Sequence, residues 1–155
     1  MNERLEYQQL ECYKLANDMQ KEKLNREPYF DLGKLPGKQL QTEFAEYIYY
    51  RGTQVSILTI KAERQHFNSL CEFFKKPSHQ KNSLLDREKD IWIKQLKLWM
   101  MQNGRALTKH KVTSIQTESV EKAALIRYFE NLLEFTLDRS ETNELAKDIW
   151  HLERL

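Results

Sequence analysis

The chain has 155 residues, of which 40% are hydrophobic and 31% are charged, and its formal net charge is +2. This length fits one domain with a packed core, and this balance excludes a disordered polar chain. Only four Gly and three Pro occur, which argues against a turn-rich β-sandwich or barrel and favours an all-α fold. No apolar run approaches about 18 residues and no signal-peptide core is present, so we expect a cytoplasmic protein outside the membrane.

The first predicted element is a helix from about Glu3 to Leu24, in a stretch rich in Glu, Gln, Leu and Lys without Gly or Pro. Its apolar stripe is irregular, which favours a covering helix or a partner-binding arm over a coiled coil. Residues 28–37 hold two of the three prolines and two of the four glycines, and are predicted to be the main linker. The N-terminal helix and linker are therefore assigned to residues 1–37.

Apolar residues at helical spacing predict four further helices, with an irregular basic loop at 105–116 before the last one. The predicted helices span Lys38–Arg51, Ser56–Lys76, Leu84–Asn103 and Thr117–Asp138. Gly52, Pro77 and Gly104 follow the first three, as helix-ending residues should. Residues 139–155 form a tail whose large apolar side chains include Leu145, Ile149, Trp150 and Leu155, and we expect this tail to pack against another surface.

The cysteines and histidines predict no metal site, no disulfide and no cofactor. Cys12 and Cys71 are far apart without CxxC spacing, and the four histidines are scattered along the chain. Cys71 lies between Leu70 and Phe73, so we expect it to pack in the core. The sequence also lacks a Gly-rich phosphate loop, a nucleophile elbow and a carboxylate pair with acid/base spacing, which argues against a small stand-alone enzyme.

Charge is distributed unevenly along the chain. Residues 61–111 carry 12 basic and 5 acidic side chains, whereas residues 1–60 carry 8 and 9, and residues 112–155 carry 5 and 9. The middle block therefore has a net charge of +7, which suits a polyanionic partner whose phosphates release condensed counterions on binding. The alternative is that these side chains are ordinary solvated helix faces.

Two segments within residues 38–138 resemble the core-binding, SAM-like N-terminal domain of tyrosine recombinases of the phage-integrase family. In residues 39–76 the resemblance rests on the Arg51-Gly52 turn, the Thr59-Ile60 helix start and the apolar residues Phe67, Leu70, Phe73 and Phe74. In residues 119–137 it rests on Tyr128-Phe129, Leu132-Leu133 and Phe135. Glu63 stands where the family often has an aromatic residue. Residues 147–155, KDIWHLERL, are similar to the stretch that leads toward the catalytic domain in transposon-type members.

The resemblance implies a compact orthogonal bundle of four to five helices with an extra N-terminal helix. It further implies that the domain is one half of a clamp around double-stranded DNA, held mainly by phosphate contacts. The DNA-binding residues that it suggests are Thr59, Lys61 and Arg64 on one helix, and Lys109, Lys111 and Lys122 around the start of another. Each has a plainer alternative: Arg64 pairing with a neighbouring acid, Thr59 capping its helix, and Lys122 being an ordinary exposed residue.

The family's catalytic tyrosine, arginines, lysine and histidines belong to a separate C-terminal domain, and no such constellation occurs in this sequence. The chain is thus expected to bind and position DNA without cleaving it, as a non-catalytic part of a longer recombinase. The expected partners are duplex DNA, the catalytic domain of the parent protein and further copies on DNA, with no small-molecule ligand. The competing hypothesis is a helical protein-interaction module that docks partners through the first helix and the Trp-bearing tail.

Overall fold

The computed structural model of the protein describes residues 3–24, 26–103 and 115–153. Within these ranges the chain is mostly helical, with one small antiparallel sheet of two strands. The strands are β1 (Arg4–Glu6) and β2 (Tyr29–Asp31), and the helices are α1 (Glu11–Lys14), α2 (Asp18–Glu22), α3 (Lys38–Arg51), α4 (Ile57–Phe74), α5 (Lys89–Gln102) and α6 (Ile115–Glu153). The predicted helical character is therefore confirmed, with an added sheet that the sequence did not reveal.

The N-terminal segment does not form the predicted continuous helix over residues 3–24. β1 pairs with β2 in antiparallel register, with Leu5 opposite Phe30, and only the short helices α1 and α2 follow. Four side chains of the segment are buried although they lie in different local structures: Leu5 in β1, Tyr7 in a 3₁₀ turn, Leu10 after that turn and Cys12 in α1. Burial of these four side chains against the core outweighs the intrinsic propensity of the segment for one continuous helix.

Residues 28–37 differ from the predicted linker because they contribute to the core. They contain β2 and a 3₁₀ turn over Leu32–Lys34, and Phe30 is 1% exposed. Gly37 begins α3 with a φ of 121°, a backbone conformation that residues with a Cβ rarely adopt. The prolines and glycines of this stretch therefore serve tight local turns in a packed segment.

The predicted bounds of α3 are confirmed at both ends, and α4 ends just before Pro77 as expected. α5 starts five residues later than predicted. Residues 84–86 form a separate 3₁₀ turn instead, closed by Asp86, whose carboxylate accepts from the Ser83 backbone N–H at 3.0 Å. α6 continues to Glu153, well past the predicted end at Asp138.

Aromatic side chains dominate the core, where edge-to-face ring contacts add to the burial of apolar surface. Phe73 on α4 lies 6.4 Å from Trp92 of α5 and 5.9 Å from Phe129 of α6, measured between ring centroids. Phe30 of β2 lies 5.2 Å from Phe67 of α4. The N-terminal sheet thus packs on the same hydrophobic cluster as the longer helices.

In the described part of the tail, residues 139–149, Arg139 pairs with Glu46 of α3 at 2.8 Å, but the large apolar side chains do not pack against the rest of the chain. The tail continues α6 as a helix, and every side chain from 141 to 149 is exposed. Leu145 is 60% exposed and Ile149 is 48% exposed. The core-facing stripe of α6 includes Leu132 and Leu133, whereas a helix this long projects its last turns beyond the layers that would cover them.

Candidate nucleic-acid interface

The first two turns of α4 hold three of the six predicted DNA-binding residues. Ser56 caps the helix: its Oγ accepts from the Thr59 backbone N–H at 3.3 Å and lies 3.2 Å from the Thr59 hydroxyl oxygen. Thr59 is exposed, so its hydroxyl supports the cap and still faces solvent. Ser56 rather than Thr59 therefore caps α4, and the Thr59 hydroxyl stays accessible to a ligand.

Arg64 fastens the N-terminal sheet to α4. Its Nε donates to the Tyr29 carbonyl oxygen at 2.9 Å, and its Nη2 pairs with the Glu27 carboxylate. The Arg64 side chain is 18% exposed. The acid that it contacts is Glu27, from across the fold, rather than Glu63, which pairs with Arg51 at 2.7 Å. A guanidinium carries five N–H donors, so Arg64 can hold this structure and still offer N–H groups to an anion.

Lys61 bridges α4 to the end of α2 in the same way. Its ammonium donates to the Lys23 carbonyl oxygen at 2.7 Å, and its side chain is exposed. An ammonium has three donors, which leaves two for a ligand. Lys61 and Arg64 therefore attach the N-terminal segment to α4 at two neighbouring points.

A cavity of about 510 Å³ opens between the N-terminal segment and α4 at this junction. Four of its lining residues are cationic: Lys23, Arg26, Lys61 and Arg64. Glu27 is the single acidic residue in the lining, so the wall carries a net charge of +3. We call these four basic residues the cationic cluster. Such a concentration of one sign around a concave surface raises the local concentration of anions.

Tyr7 forms part of the wall of the same cavity. Tyr7 is 1% exposed, and its hydroxyl has no hydrogen-bond partner among the described residues. Burial raises the pKa of Tyr7 to about 12, with Arg64 opposing and Glu27 reinforcing that rise. The hydroxyl is therefore a neutral O–H donor at pH 7, and a buried donor without a partner carries a desolvation cost.

Lys122 lies on α6, apart from the cationic cluster along the chain, and its side chain is half-buried and takes part in an interaction within the protein. α6 meets α4 where the rings of His66 and Tyr128 are 5.5 Å apart. Lys122 is six residues before Tyr128, or about 9 Å along the helix axis. Lys109 and Lys111 lie outside the described residues.

Other cations of the basic middle block are distributed among acids or stand on α5. Lys75 pairs with Glu72 at 2.7 Å, and Lys89 pairs with Glu134 at 2.6 Å. Lys94 and Lys97 are exposed on successive turns of α5. The basic middle block therefore contributes only Lys61 and Arg64 to the cationic cluster, and its remaining described cations are more widely spaced.

Sequence reasoning missed Lys23, Arg26 and Tyr7 as members of this site. Residues 3–24 were predicted to form one covering helix or partner-binding arm, whereas the fold places residues 7, 23 and 26 around a cavity beside α4. β1 is only three residues long, too short for an alternating pattern to mark it in the sequence. No local pattern indicates which other element such a segment will face.

The described ranges contain no group of three His, Cys, Asp or Glu side chains arranged to hold a metal ion. In those same ranges no helix has both the length and the apolar character that crossing a membrane requires. Cys12 and Cys71 are free thiols buried in the core, as expected for Cys71. The chemistry that this site offers is therefore cationic and hydrogen-bonding.

Comparison of the chain with protein-family models, with curated proteins and with solved structures finds no significant match.

Proposed function

We propose that this chain is a double-stranded DNA-binding domain and that the cationic cluster at the start of α4 is its principal phosphate-contacting surface. The observation that carries the proposal is the convergence of Lys23, Arg26, Lys61 and Arg64 around one cavity. Two of the four were chosen from the sequence as DNA contacts, and the fold adds two more cations beside them. Four contacts of this kind give binding that is strong at low salt and largely independent of sequence.

The finer proposal is that the domain is the core-binding part of a tyrosine recombinase, with α3 to α6 forming its SAM-like bundle. The support is the resemblance in residues 39–76 and 119–137, whose apolar positions Phe67, Leu70 and Phe129 are fully buried. On this proposal the cationic cluster, with Thr59 beside it, faces the DNA backbone. Strand cleavage would belong to a separate catalytic domain of the parent protein, and this chain would position DNA for it in the cytoplasm.

The test is fluorescence anisotropy with a labelled duplex of mixed sequence, titrated with salt from about 50 to 300 mM. Four phosphate contacts predict a slope of log K against log salt of about −3.6, at roughly −0.9 per contact. The informative variant is Lys23→Gln with Arg26→Gln. Both side chains are exposed, and neither makes a side-chain hydrogen bond or ion pair within the described residues, so the fold should be unaffected. The slope should fall to about −1.8.

The matched control is Lys75→Gln with Lys76→Gln, which removes the same charge from exposed positions at the other end of α4. Residue 75 is 14 positions from residue 61, or about 21 Å along the helix. The control should keep the slope of the unmodified protein. Equal loss of slope in both double variants would show a non-specific response to net charge, and no binding at 50 mM salt would refute the DNA-binding proposal.

A second candidate function, a protein-interaction module, is favoured by one observation: the exposed end of α6. Leu145 and Ile149 lie on the part of α6 where every side chain from 141 to 149 is exposed. The other half of that hypothesis assumed one docking helix at the N-terminus, whereas residues 3–24 form β1 and the short helices α1 and α2, and Leu5, Tyr7, Leu10 and Cys12 are buried. Light scattering across a concentration series tests self-association, which Leu145→Glu with Ile149→Glu should abolish if this face is an interface.

A further inference from the structure

The cavity between the N-terminal segment and α4 has features that duplex binding does not need. Surface cations suffice to hold a DNA backbone, whereas this cavity is also lined by Tyr7, whose buried hydroxyl has no hydrogen-bond partner among the described residues. Its volume of about 510 Å³ falls within the range of sites for small molecules, which is roughly 300–1,000 Å³. Leu24, 3% exposed, adds an apolar surface to the lining.

We propose that this cavity is a binding site for a phosphomonoester of mononucleotide size, with the phosphate held by the cationic cluster and the Tyr7 hydroxyl. The inference does not rest on duplex binding, and it replaces the sequence-based expectation that no small-molecule ligand binds. The same chemistry is offered by a free mononucleotide and by the phosphorylated end of a DNA strand.

The charge and donor inventory of the cavity matches a phosphate dianion. Arg64 donates from Nε to the Tyr29 carbonyl oxygen and from one Nη to the Glu27 carboxylate. Lys61 donates one of its three N–H groups to the Lys23 carbonyl oxygen, so N–H donors remain on both side chains. Lys23 and Arg26 place two more cations in the same lining. The net charge of +3 exceeds what a phosphomonoester neutralises, so its binding leaves the site cationic.

Tyr7 supplies the observation that separates a ligand site from a merely basic surface. Its ring packs edge-to-face on Phe30 at 5.6 Å, which fixes the side chain, while its hydroxyl finds no partner in the part of the protein that the structure describes. Buried hydroxyl groups nearly always have a partner. A phosphate oxygen in the cavity would accept this hydrogen bond and relieve the desolvation cost, and the fixed ring would position the donor in advance.

The experiment is isothermal titration calorimetry of the full chain with adenosine 5′-monophosphate, with adenosine as the ligand that lacks the phosphate. We expect binding of the monophosphate and none of adenosine. Tyr7→Phe removes only the hydroxyl, and should weaken binding about tenfold, as expected for a hydrogen bond to a charged group. Tyr49→Phe, at an exposed position on α3, is the matched control and should bind as the unmodified protein does.

A short single strand with and without a 5′-phosphate, titrated in the same way, distinguishes the two sources of the phosphate. Dependence on the terminal phosphate assigns the site to strand ends, and binding of the mononucleotide alone assigns it to a free ligand. Absence of binding to either, or binding that Tyr7→Phe leaves unchanged, would overturn the proposal.

The outcomes are separable from those for duplex DNA, because Tyr7→Phe changes no charge and should leave the salt slope of duplex binding as it was. Mononucleotide binding without duplex binding would retain this inference and refute the proposed function. Duplex binding without mononucleotide binding would retain the proposed function and refute this inference.

Discussion

Replacing Arg64 with methionine should destabilise the protein by detaching the N-terminal sheet from α4. The substitution keeps an apolar stem of similar length and removes every N–H donor. The loss falls mainly on the half-buried hydrogen bond to the Tyr29 carbonyl oxygen, 2.9 Å from Arg64 Nε. A hydrogen bond from a charged donor contributes about 1.5–3 kcal/mol, so we expect a loss of about 2 kcal/mol in the free energy of unfolding. The ion pair to Glu27 adds little, because that carboxylate is 59% exposed.

Urea denaturation followed by far-UV circular dichroism measures this loss, and thermal unfolding should show a decrease in Tm of about 4–8 °C for a chain of this size. The matched control is Lys75→Met, which removes a cation from the same helix where the ion pair with Glu72 is exposed on both sides. That change should alter the free energy of unfolding by less than about 0.5 kcal/mol. If the two variants are equally stable, Arg64 does not hold the sheet and the structural role assigned to it is incorrect.

Three further predictions concern the core. Phe73→Ala should lower the free energy of unfolding by about 3–5 kcal/mol, because this fully buried ring contacts three other aromatic rings from α5 and α6; a urea midpoint within error of the unmodified protein would contradict the packing. Burial raises the pKa of the Cys71 thiol to about 12, so Cys71 should not react with iodoacetamide at pH 8 until urea unfolds the chain. Mass spectrometry measures the labelling, and alkylated Cys71 in the native protein would contradict the prediction. Burial also lowers the pKa of His79, against an opposing hydrogen bond from its Nδ1 to the Phe73 carbonyl oxygen. As the pH falls through about 6.5, His79 is therefore protonated in the unfolded state before it is protonated in the folded state, and the protein loses stability. Between pH 7.5 and pH 5.5 the urea midpoint should decrease less in His79→Gln than in the unmodified protein.

The helices that pack the core could be predicted because periodicity and helix-ending residues agree. Leu40, Phe44 and Ile48 repeat on one face of α3, and Gly52 follows its last turn. The N-terminal sheet could not be predicted with the same procedure. Its strands are three residues long, and its pairing joins segments more than 20 residues apart, whose individual propensities favour other structures.

The candidate site was predictable only on the side that α4 contributes. Lys61 and Arg64 were identified from charge density and from the resemblance, but their intramolecular contacts with the Lys23 and Tyr29 carbonyl oxygens follow from the tertiary fold. The same fold brings Tyr7 into the cavity wall. Contacts between segments far apart in the chain produce no periodic pattern of residues from which a single sequence would predict them.

The measurement that tests DNA binding by the cationic cluster most directly is an amide chemical-shift titration of the ¹⁵N-labelled protein with a duplex of about 20 base pairs. We predict that the largest shifts fall on residues 23–27 and 57–66, which surround the cationic cluster at the start of α4. Shifts confined to residues 139–149 of α6, or no shifts at low salt, would contradict this assignment of the DNA-binding surface.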